Sequence, residues 1–547
     1  MKKVLGLRRS KRNSNKTLEV IMFKILVSDK LSEQGINILK ENKEFEVDVK
    51  VGLKPEELKK IIGQYHALVV RSSTKVTKDI INASNLKVIG RAGVGLDNVD
   101  LEAATNKGII VMNSPSGNTI STAEHAFTLM LALSRNISAA DKSMKAGQWE
   151  RNKFKGVELY NKILGIIGAG RIGQAVAKRA KSFGMRIIAY DPFLSREVAE
   201  KLDIELVDLD YLFRNADYIT LHVPLTEETK NMISEREISI MKKSVRIINC
   251  ARGGIIDEAA LAKALEENRI AGVALDVYAE EPPKDLPFVK YEQALLTPHL
   301  GASTEEAQLN VAVEIAEQVR DALLGRGIRN AANFPSVDLE TYKALQPLFS
   351  LSEKMGLMMA QFAEGRINEV KIVYYGQIST LDTKPLTMSI LKGLLTPTLQ
   401  DTVNFINALA LAKERSIKVK EEKSSEIEDF TSLITLEVIS EKATHKIAGT
   451  LFTKKDPRIV KIDEFFVEAI PQGHMLIIHN IDKPGIIGNL GKLLGKHNIN
   501  IAGMTFGRAK KGGKAITVLN IDSGVNDKIL TEIKKLQYIK EVRRIKL

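Results

Sequence analysis

The strongest constraint on the fold is the alternation of short apolar runs with helical patterns between residue 22 and about residue 330. Such alternation is typical of parallel βαβ units. Apolar residues are nearly continuous within the runs, as in strands that helices cover on both faces. The runs predict strands at residues 23–27, 67–70, 88–89, 109–112, 163–167, 186–190, 218–222, 245–249, 272–275 and 295–297. An amphipathic stretch at 121–134 separates the first four predicted strands from the later ones and predicts an inter-domain helix.

A glycine-rich turn follows the fifth run and opens a helical pattern. Its sequence is Gly168-Ala169-Gly170-Arg171-Ile172-Gly173. Gly168 makes the tight turn, Gly170 lets the backbone approach a pyrophosphate, and Gly173 permits close packing of the helix on the strand. The positive helix end, at Arg171 and Ile172, then meets the phosphates. The turn therefore predicts a dinucleotide site.

An acidic residue at the end of the next strand indicates which dinucleotide. Asp191 lies 18 residues beyond Gly173, near the ~20 expected of a ribose-binding acid. Its carboxylate can bind both ribose hydroxyls of NAD and would repel the additional phosphate of NADP. NAD is the predicted cofactor, although Arg196 lies close enough in sequence to accept a 2′-phosphate.

Three polar residues follow the ends of later strands, where an open α/β sheet binds its ligands. They are Arg252, Glu281 and His299. Hydride transfer from a secondary alcohol needs a base for the hydroxyl proton, and histidine suits this role near neutral pH. A carboxylate beside it orients the ring and favours its charged form, and an arginine fork matches a substrate carboxylate. His222, which also ends a strand, is the second candidate base and is predicted to line the cofactor site with Pro224.

Two further arginines follow short apolar runs in the first part of the chain. Arg71 precedes Ser72, and Arg91 lies two residues before Gly93. If both face the cleft, they suit a doubly anionic substrate that bears a phosphate as well as a carboxylate. We include these four residues in the predicted substrate site.

The formal charge of +13 raises the possibility of nucleic-acid binding, but its distribution weakens that interpretation. Residues 1–20 hold seven basic residues and one acidic residue, nearly half of the excess. We interpret residues 1–21 as a flexible leader that is dispensable for folding; an organellar transit peptide is the alternative. No run reaches the ~18 apolar residues of a membrane span. One cysteine, Cys250, allows no internal disulfide and no paired-cysteine metal site, so we predict a reducing cytoplasm and no metal.

The rest of the chain divides at two breaks, near residues 329–337 and 471–473. The segment between them mixes helices, predicted at 342–365 and 403–415, with strands predicted at 370–374 and 433–439. Its charged stretch 418–428 is interpreted as a solvated turn, and the segment carries no recognisable chemistry. The last 75 residues follow a strand-helix-strand-strand-helix-strand order, a split βαβ pattern.

With these residues in place, the sequence resembles the D-isomer-specific 2-hydroxyacid dehydrogenase family in its long form. The most specific pieces are GRAGVGLDNVDLEAAT, LGIIGAGRIG, NCARGGIIDEAAL, ALDVYAEEPP and TPHLGAST. The resemblance implies an α/β protein with two doubly wound parallel-sheet domains, a Rossmann-type cofactor domain at 121–300 inserted in a flavodoxin-like substrate domain at 22–120 and 301–332. An α+β intervening domain at 333–472 and a βαββαβ ACT-like domain at 473–547 follow.

The resemblance also implies roles for individual residues. Arg252, Glu281 and His299 become the substrate-binding arginine, the supporting carboxylate and the acid/base. Further contacts to NAD are implied for Asn249, Ala251, Asp276, Gly301 and Ala302. The implied reaction is oxidation of 3-phospho-D-glycerate to 3-phosphohydroxypyruvate, which enters serine synthesis. Many family members carry Thr where this chain has Val94, so one hydroxyl contact is absent without a threat to catalysis.

The C-terminal resemblance implies an effector site for L-serine, with Asn480 and Asp482 near the start of a helix and Asn500 completing the site across a dimer. The family also implies a homodimer or homotetramer. Three alternatives stay open: a dehydrogenase of another D-2-hydroxy acid, a nucleotide-sensing corepressor on the same fold, and a nucleic-acid binder that depends on the basic leader.

Overall fold

The computed structural model describes residues 22–335, 339–426, 430–453 and 456–547. The predicted leader at 1–21 lies outside the described residues. Within them, no helix is both long enough and apolar enough to cross a membrane.

The first unit is a five-stranded parallel sheet with the order β2-β1-β3-β4-β5. Its central strand, β3, is fully buried, which explains its continuous apolar run. Strand β2 escaped prediction because only Phe45 among its residues is buried and acidic residues interrupt it. The strands are β1 (Phe23–Val27), β2 (Phe45–Val49), β3 (Ala67–Val70), β4 (Val88–Arg91) and β5 (Ile110–Asn113), and the helices are α1 (Glu33–Lys40), α2 (Pro55–Ile61), α3 (Lys78–Ala83) and α4 (Leu101–Asn106).

The second unit is a seven-stranded parallel sheet, reached through α5 (Thr119–Ser134) and α6 (Ile137–Lys145). Its order, β12-β11-β10-β9-β6-β7-β8, reverses between β6 and β9, as in a Rossmann-type sheet. Its elements are β6 (Ile163–Ile167), α7 (Arg171–Ser182), β7 (Arg186–Tyr190), α8 (Arg196–Lys201), β8 (Glu205–Leu206), α9 (Leu209–Asn215), β9 (Tyr218–Leu221), α10 (Glu235–Ile240), β10 (Arg246–Asn249), α11 (Glu258–Glu266), β11 (Gly272–Leu275) and β12 (Ala294–Leu296).

The chain then returns to the first unit through helix α12 (Glu305–Leu324). A Cβ at Gly90 of β4 would lie 2.6 Å from Val319 and 2.9 Å from Ile315, so the absence of a side chain there lets α12 pack against the sheet. The chain thus forms the five strands of the first unit, then the whole second unit, and then returns to the first through α12. This order confirms the predicted insertion of one parallel-sheet unit into another.

The third unit is a mixed six-stranded sheet of order β14-β13-β15-β16-β17-β18, covered by two long helices. Only β13 and β14 are parallel. Its elements are α13 (Leu339–Phe362), β13 (Ile367–Gly376), α14 (Lys384–Leu399), α15 (Ala408–Glu414), β14 (Lys418–Ser424), β15 (Ser432–Ser440), β16 (Thr444–Leu451), β17 (Pro457–Ile462) and β18 (Phe465–Ala469).

Two predictions in this unit are wrong. Residues 418–424 form the edge strand β14 rather than a solvated turn, because ion pairs across the strands, such as Lys420 with Glu369 at 2.6 Å, replace apolar packing. Residues 427–429 of the predicted turn lie outside the described residues. The helix predicted from 403 begins only at Ala408. Residues before it form a turn, because the side-chain oxygen Oδ1 of Asn404 accepts from the N–H groups of Ile406 and Asn407.

The terminal unit is an antiparallel sheet of order β20-β21-β19-β22, which confirms the predicted βαββαβ order. Its elements are β19 (His474–Ile481), α16 (Ile486–Lys496), β20 (Ile501–Arg508), β21 (Lys514–Ile521), α17 (Asp527–Lys534) and β22 (Ile539–Lys546).

The third unit also contacts the first unit. The side chains of Asn404 and Asn407 donate to the carbonyl oxygens of Gly108 and Asn106 at 3.0 and 3.2 Å.

Candidate active site

The glycine turn after β6 has the shape that a dinucleotide requires. Gly168 has a φ of +90°, and a Cβ there would lie 2.6 Å from the His222 carbonyl oxygen. A Cβ at Gly173 would lie 2.2 Å from the Gly168 carbonyl oxygen, so α7 packs directly on the turn. Among the described residues, none approaches within 4 Å of a Cβ placed at Gly170. The space above the start of α7, at Arg171 and Ile172, is therefore open to a pyrophosphate.

The carboxylate of Asp191, directly after β7, is fixed beside this turn. Its Oδ2 accepts from the Ala169 N–H at 2.8 Å, and its Oδ1 accepts from the N–H groups of Phe193 and Leu194 at 2.8 and 3.1 Å. A carboxylate held in this way presents its remaining lone pairs to a ribose without having to reorganise. The residues present thus fit NAD.

His299 and Glu281 form a hydrogen-bonded pair beyond the ends of β11 and β12. The distance from His299 Nδ1 to Glu281 Oε2 is 2.7 Å, and Glu281 Oε1 accepts from the Tyr278 N–H at 3.1 Å. The hydrogen bond to Glu281 raises the pKa of His299 above its ordinary value. Burial alone would raise the pKa of Glu281, but the hydrogen bond and charge of His299 outweigh it, so that pKa is lowered. Because Nδ1 is bound to Glu281, Nε2 is the nitrogen left for a substrate.

His222, the second candidate base, lies in a different environment. It is partly buried after β9, its Nε2 lies 3.0 Å from Thr220 Oγ1, and its Nδ1 has no hydrogen-bond partner among the described residues. Burial of the ring lowers the pKa of His222 to about 4. The ring is neutral near pH 7, and no carboxylate of the described residues shifts its pKa, so the geometry favours His299 as the base.

Arg252 reaches from the second unit to the first. Its Nε donates to Asp97 Oδ2 at 3.0 Å, and its Nη1 donates to the Ala251 carbonyl oxygen at 2.7 Å. A Cβ at Gly95 would lie 1.8 Å from Arg252 Nη2, so the glycine makes room for the guanidinium. The side chain of Asn249 fixes the turn that carries Arg252, because it donates to the Arg252 carbonyl oxygen and accepts from the Ala251 N–H.

Arg91 and Arg71 lie on the first unit at the ends of β4 and β3, and their charges act on one another. Burial, followed by the charge of Arg252, lowers the pKa of Arg91 to about 10, and Arg71 contributes in the same direction. Arg91 therefore remains protonated at neutral pH. A Cβ at Gly93 would lie 2.1 Å from Arg91 Nη1. The Arg71 N–H donates to Asp29 Oδ2 at 2.6 Å, which fixes the backbone next to Ser72.

Asp276 is fully buried directly after β11, and its carboxylate is hydrogen-bonded to other groups of the protein. Its oxygens accept from the Thr297 hydroxyl and from the N–H groups of Leu300 and Gly301 at 2.6, 2.7 and 2.8 Å. Burial opposes ionisation, but hydrogen bonds from His125 and Thr297 outweigh it and lower the pKa of Asp276. The contacts to NAD implied for Asp276, Gly301, Ala302 and Pro224 stay predictions.

Cys250 packs beneath the same strands. Burial, together with the charge of Asp276, raises the pKa of its thiol well above the ordinary value. The thiol is protonated and buried, which fits a space-filling side chain.

The predicted effector residues divide between two places in the terminal unit. Asn480 and Asp482 border one groove, at the start of α16, with Lys483, Arg508 and Lys511. Asp482 accepts from the Gly512 N–H and from Arg508, which lowers its pKa, the bond from Gly512 being the larger cause. Asn500 does not border this groove within one chain; its side chain donates to Asp522 at 2.7 Å. Its contribution across a dimer stays a prediction.

Sequence reasoning missed two residues that hold the site, Asp29 and Asp97, and it gave His125 no chemical role. Asp97 lies within GRAGVGLDNVDLEAAT, but nothing local distinguishes it from a solvated acid. Its partner Arg252 is 155 residues away in sequence.

Comparison with known proteins places the second, third and terminal units in families. Residues 127–301 match the NAD-binding domain of D-isomer-specific 2-hydroxyacid dehydrogenases, residues 344–463 the D-3-phosphoglycerate dehydrogenase intervening domain, and residues 474–537 the ACT domain. The D-3-phosphoglycerate dehydrogenase of Methanocaldococcus jannaschii is 47% identical over 96% of this chain and 100% of its own length. That of Synechocystis is 46% identical over 96% and 95%.

Among solved structures, the D-lactate dehydrogenase of Aquifex aeolicus in complex with NAD and lactic acid is 27% identical. The match covers 55% of this chain and 96% of that one, with a TM-score of 0.50. The chain spans nearly the full length of the two curated relatives at well over 30% identity. It therefore belongs to the D-3-phosphoglycerate dehydrogenase family of D-isomer-specific 2-hydroxyacid dehydrogenases.

Proposed function

We propose that the chain catalyses the NAD-dependent oxidation of 3-phospho-D-glycerate to 3-phosphohydroxypyruvate, the reaction that opens L-serine synthesis. One observation carries the proposal: the charges of Arg252 and Arg71 both lower the pKa of Arg91, and these strand ends also carry the His299–Glu281 pair. The carboxylates of Asp97 and Asp29 offset part of the repulsion among these cations. A substrate with a phosphate and a carboxylate supplies further negative charge.

Each side chain then has a chemical role. Arg252 binds the substrate carboxylate and orients the adjacent carbinol carbon, and Arg91 and Arg71 receive the phosphate. Arg91 is suited to this because its buried Nε has no hydrogen-bond partner among the described residues. His299 Nε2 accepts the proton of the substrate hydroxyl, and Glu281 stabilises the resulting imidazolium. Bound NAD supplies the acceptor for the hydride from the same carbon. The substrate carbon thus loses its hydrogen as a hydride to NAD, the hydroxyl proton remains on His299, and the product is the ketone.

The decisive experiment is a side-by-side assay of NADH formation with 3-phospho-D-glycerate, D-lactate and D-glycerate. We expect the highest kcat/KM with the phosphorylated acid. Arg91→Ala is expected to lower kcat/KM for 3-phospho-D-glycerate by at least ~10-fold while it changes kcat/KM for D-glycerate far less, because only the former carries the phosphate. His299→Ala is expected to lower turnover by roughly 10²- to 10⁴-fold with NAD binding retained. A wild-type preference for an unphosphorylated acid would refute the proposed substrate.

We further propose that L-serine is the effector and that the chain forms a homodimer or homotetramer in a reducing cytoplasm. The groove at Asn480 and Asp482 supports effector binding, because it places a carboxylate for an amino group beside the N–H groups at the start of α16. Calorimetry of the full chain with L-serine tests the first part, with Asp482→Ala as the variant that should abolish the heat. Sedimentation velocity tests the second.

A further inference from the structure

The backbone of the proposed base is held in an unusual conformation. His299 has a φ of +56°, a left-handed value that is uncommon for non-glycine residues. The segment that follows it is held by a buried carboxylate, since the next two N–H groups, of Leu300 and Gly301, both donate to Asp276. The orientation of the imidazole therefore depends on the position of a buried carboxylate.

Three side chains of helix α5 also contact Asp276 and the segment around His299. His125 Nε2 lies 3.1 Å from Asp276 Oδ1 and 3.3 Å from Thr297 Oγ1. Ser121 donates to the Gly301 carbonyl oxygen at 2.7 Å, and Thr122 donates to the same oxygen at 3.2 Å. We call Ser121, Thr122 and His125, together with Asp276 and Gly301, the α5 latch.

The α5 latch lies where the chain crosses between the first two units. The chain leaves the first unit between β5 and α5, and it returns between β12 and α12. Gly301 belongs to the return crossing, and Ser121 lies at the start of the outward one. His299 is two residues from Gly301, where the two crossings are hydrogen-bonded together.

We propose that His125 is a positioning residue for the reaction: it holds Asp276, and Asp276 holds the segment that aims His299 at the substrate. The inference depends on the proposed role of His299. His125 is suited to this position because Asp276 is fully buried and a buried charge needs compensation. His125 adds a third donor to Asp276 Oδ1, beside the Thr297 hydroxyl and the Leu300 N–H.

A metal site would be a different use of the same groups, since ligand atoms of His125, Cys250 and Asp276 all lie within 4.8 Å of one another. Four donors already occupy the carboxylate: the Thr297 hydroxyl, two backbone N–H groups and His125. The protonated thiol of Cys250 is not a ligand in that state. The hydrogen-bond network is therefore the arrangement that the structure supports.

The test compares three substitutions at residue 125 in the full chain. His125→Leu keeps the volume and removes the donor, His125→Asn keeps a donor too short to reach Asp276, and His125→Gln places an amide N–H near the former Nε2. We expect the Leu and Asn variants to lose roughly 10- to 100-fold in kcat, with the KM for NAD within about twofold of wild type, and the Gln variant to recover most of the loss. Glu124→Gln is the matched control on the exposed side of α5, and it should behave as wild type.

The pH profile separates positioning from a merely structural role. The charged groups that act on His299 are Glu281, Asp276 and Arg252, with the hydrogen bond to Glu281 as the largest cause of its raised pKa. If His299 loses its position, that bond weakens, so the pKa seen in kcat/KM should move down towards 6.5 in the Leu and Asn variants and not in the Gln variant.

A loss of kcat with an unchanged pKa, accompanied by a lower Tm, would mean that His125 only stabilises the fold, and equal activity in all variants would also overturn the proposal. If the Leu variant does not fold, the Asn and Gln pair decides. A wild-type enzyme that prefers another 2-hydroxy acid but shows the same pattern with it would refute the proposed substrate and leave the α5 latch intact.

Discussion

Replacement of Glu281 by Gln isolates the charge of the carboxylate from its geometry. The amide keeps a carbonyl oxygen that can accept from His299 Nδ1, now 2.7 Å from Glu281 Oε2, so the ring retains its orientation. What the variant loses is the negative charge that stabilises the imidazolium. The pKa of His299 should therefore fall towards its ordinary value of 6.5.

The size of the change follows from the exposure of the pair. A hydrogen bond to a charged group contributes about 1.5–3 kcal/mol when it is shielded from water. The two side chains are 47% and 36% exposed, so solvent screening reduces the charge contribution to about 1–1.5 kcal/mol. A loss of this size corresponds to about a 10-fold change in rate, and the pKa of His299 should fall towards its ordinary value.

The assay is kcat/KM as a function of pH in both directions of the reaction. Oxidation requires the neutral imidazole, so its profile should move to lower pH in Glu281→Gln, with a plateau about 10-fold below wild type because the imidazolium is less stable in the transition state. Reduction requires the imidazolium, so its activity should be lost at a lower pH than in wild type as the pH rises. Unshifted profiles in both directions would refute the assignment of His299 as the titrating base.

Three further predictions concern stability and binding. The Glu281–His299 pair should stabilise the fold most between about pH 4.5 and 6.5. The lowered pKa of Glu281 contributes stability above pH 4.5, and the raised pKa of His299 contributes stability below pH 6.5. The free energies of unfolding in urea of wild type and Glu281→Gln should therefore differ in this range and converge as the pH rises through the raised pKa of His299. Asp191→Ala should reduce the preference for NAD over NADP by about 10-fold or more in kcat/KM, since one ribose-binding carboxylate is worth at least ~1.4 kcal/mol. Asn404→Ala should lower the free energy of unfolding by about 1–2 kcal/mol, because the Gly108 carbonyl oxygen loses its donor, and calorimetric scanning measures this.

The sequence predicted the two parallel sheets well because their strands are buried on both faces. β3 and β11 are fully buried, and their apolar runs leave no ambiguity. β14 gave no such signal, since Lys420 and its neighbours are exposed and are stabilised by ion pairs to β13. β8, with two residues, was too short for any periodicity to show.

The site was predictable to the extent that topology alone assembles it. Parallel strands bring their carboxyl ends together, so the strand-end argument could select Arg252, Glu281 and His299 without knowledge of distances. It could not select their supports. The choice of His125 rather than another α5 side chain depends on how α5 packs under β11, which is a tertiary relation that no local pattern encodes.

The contacts of the third unit form a path by which the proposed effector groove would act on the proposed substrate site. The terminal unit joins the third through Arg543 and Glu364 at 2.7 Å and through the Lys546 N–H and Gln361 at 3.0 Å. The third unit holds the end of α4 through Asn404. Helix α4 begins four residues after Asp97, whose carboxylate holds Arg252. A displacement of the third unit therefore acts on the residue that fixes the substrate-binding arginine, whereas the glycine turn and Asp191 belong to another unit. We expect an effector of the terminal groove to change the KM for the hydroxy acid more than the KM for NAD, and an equal effect on both would contradict this route.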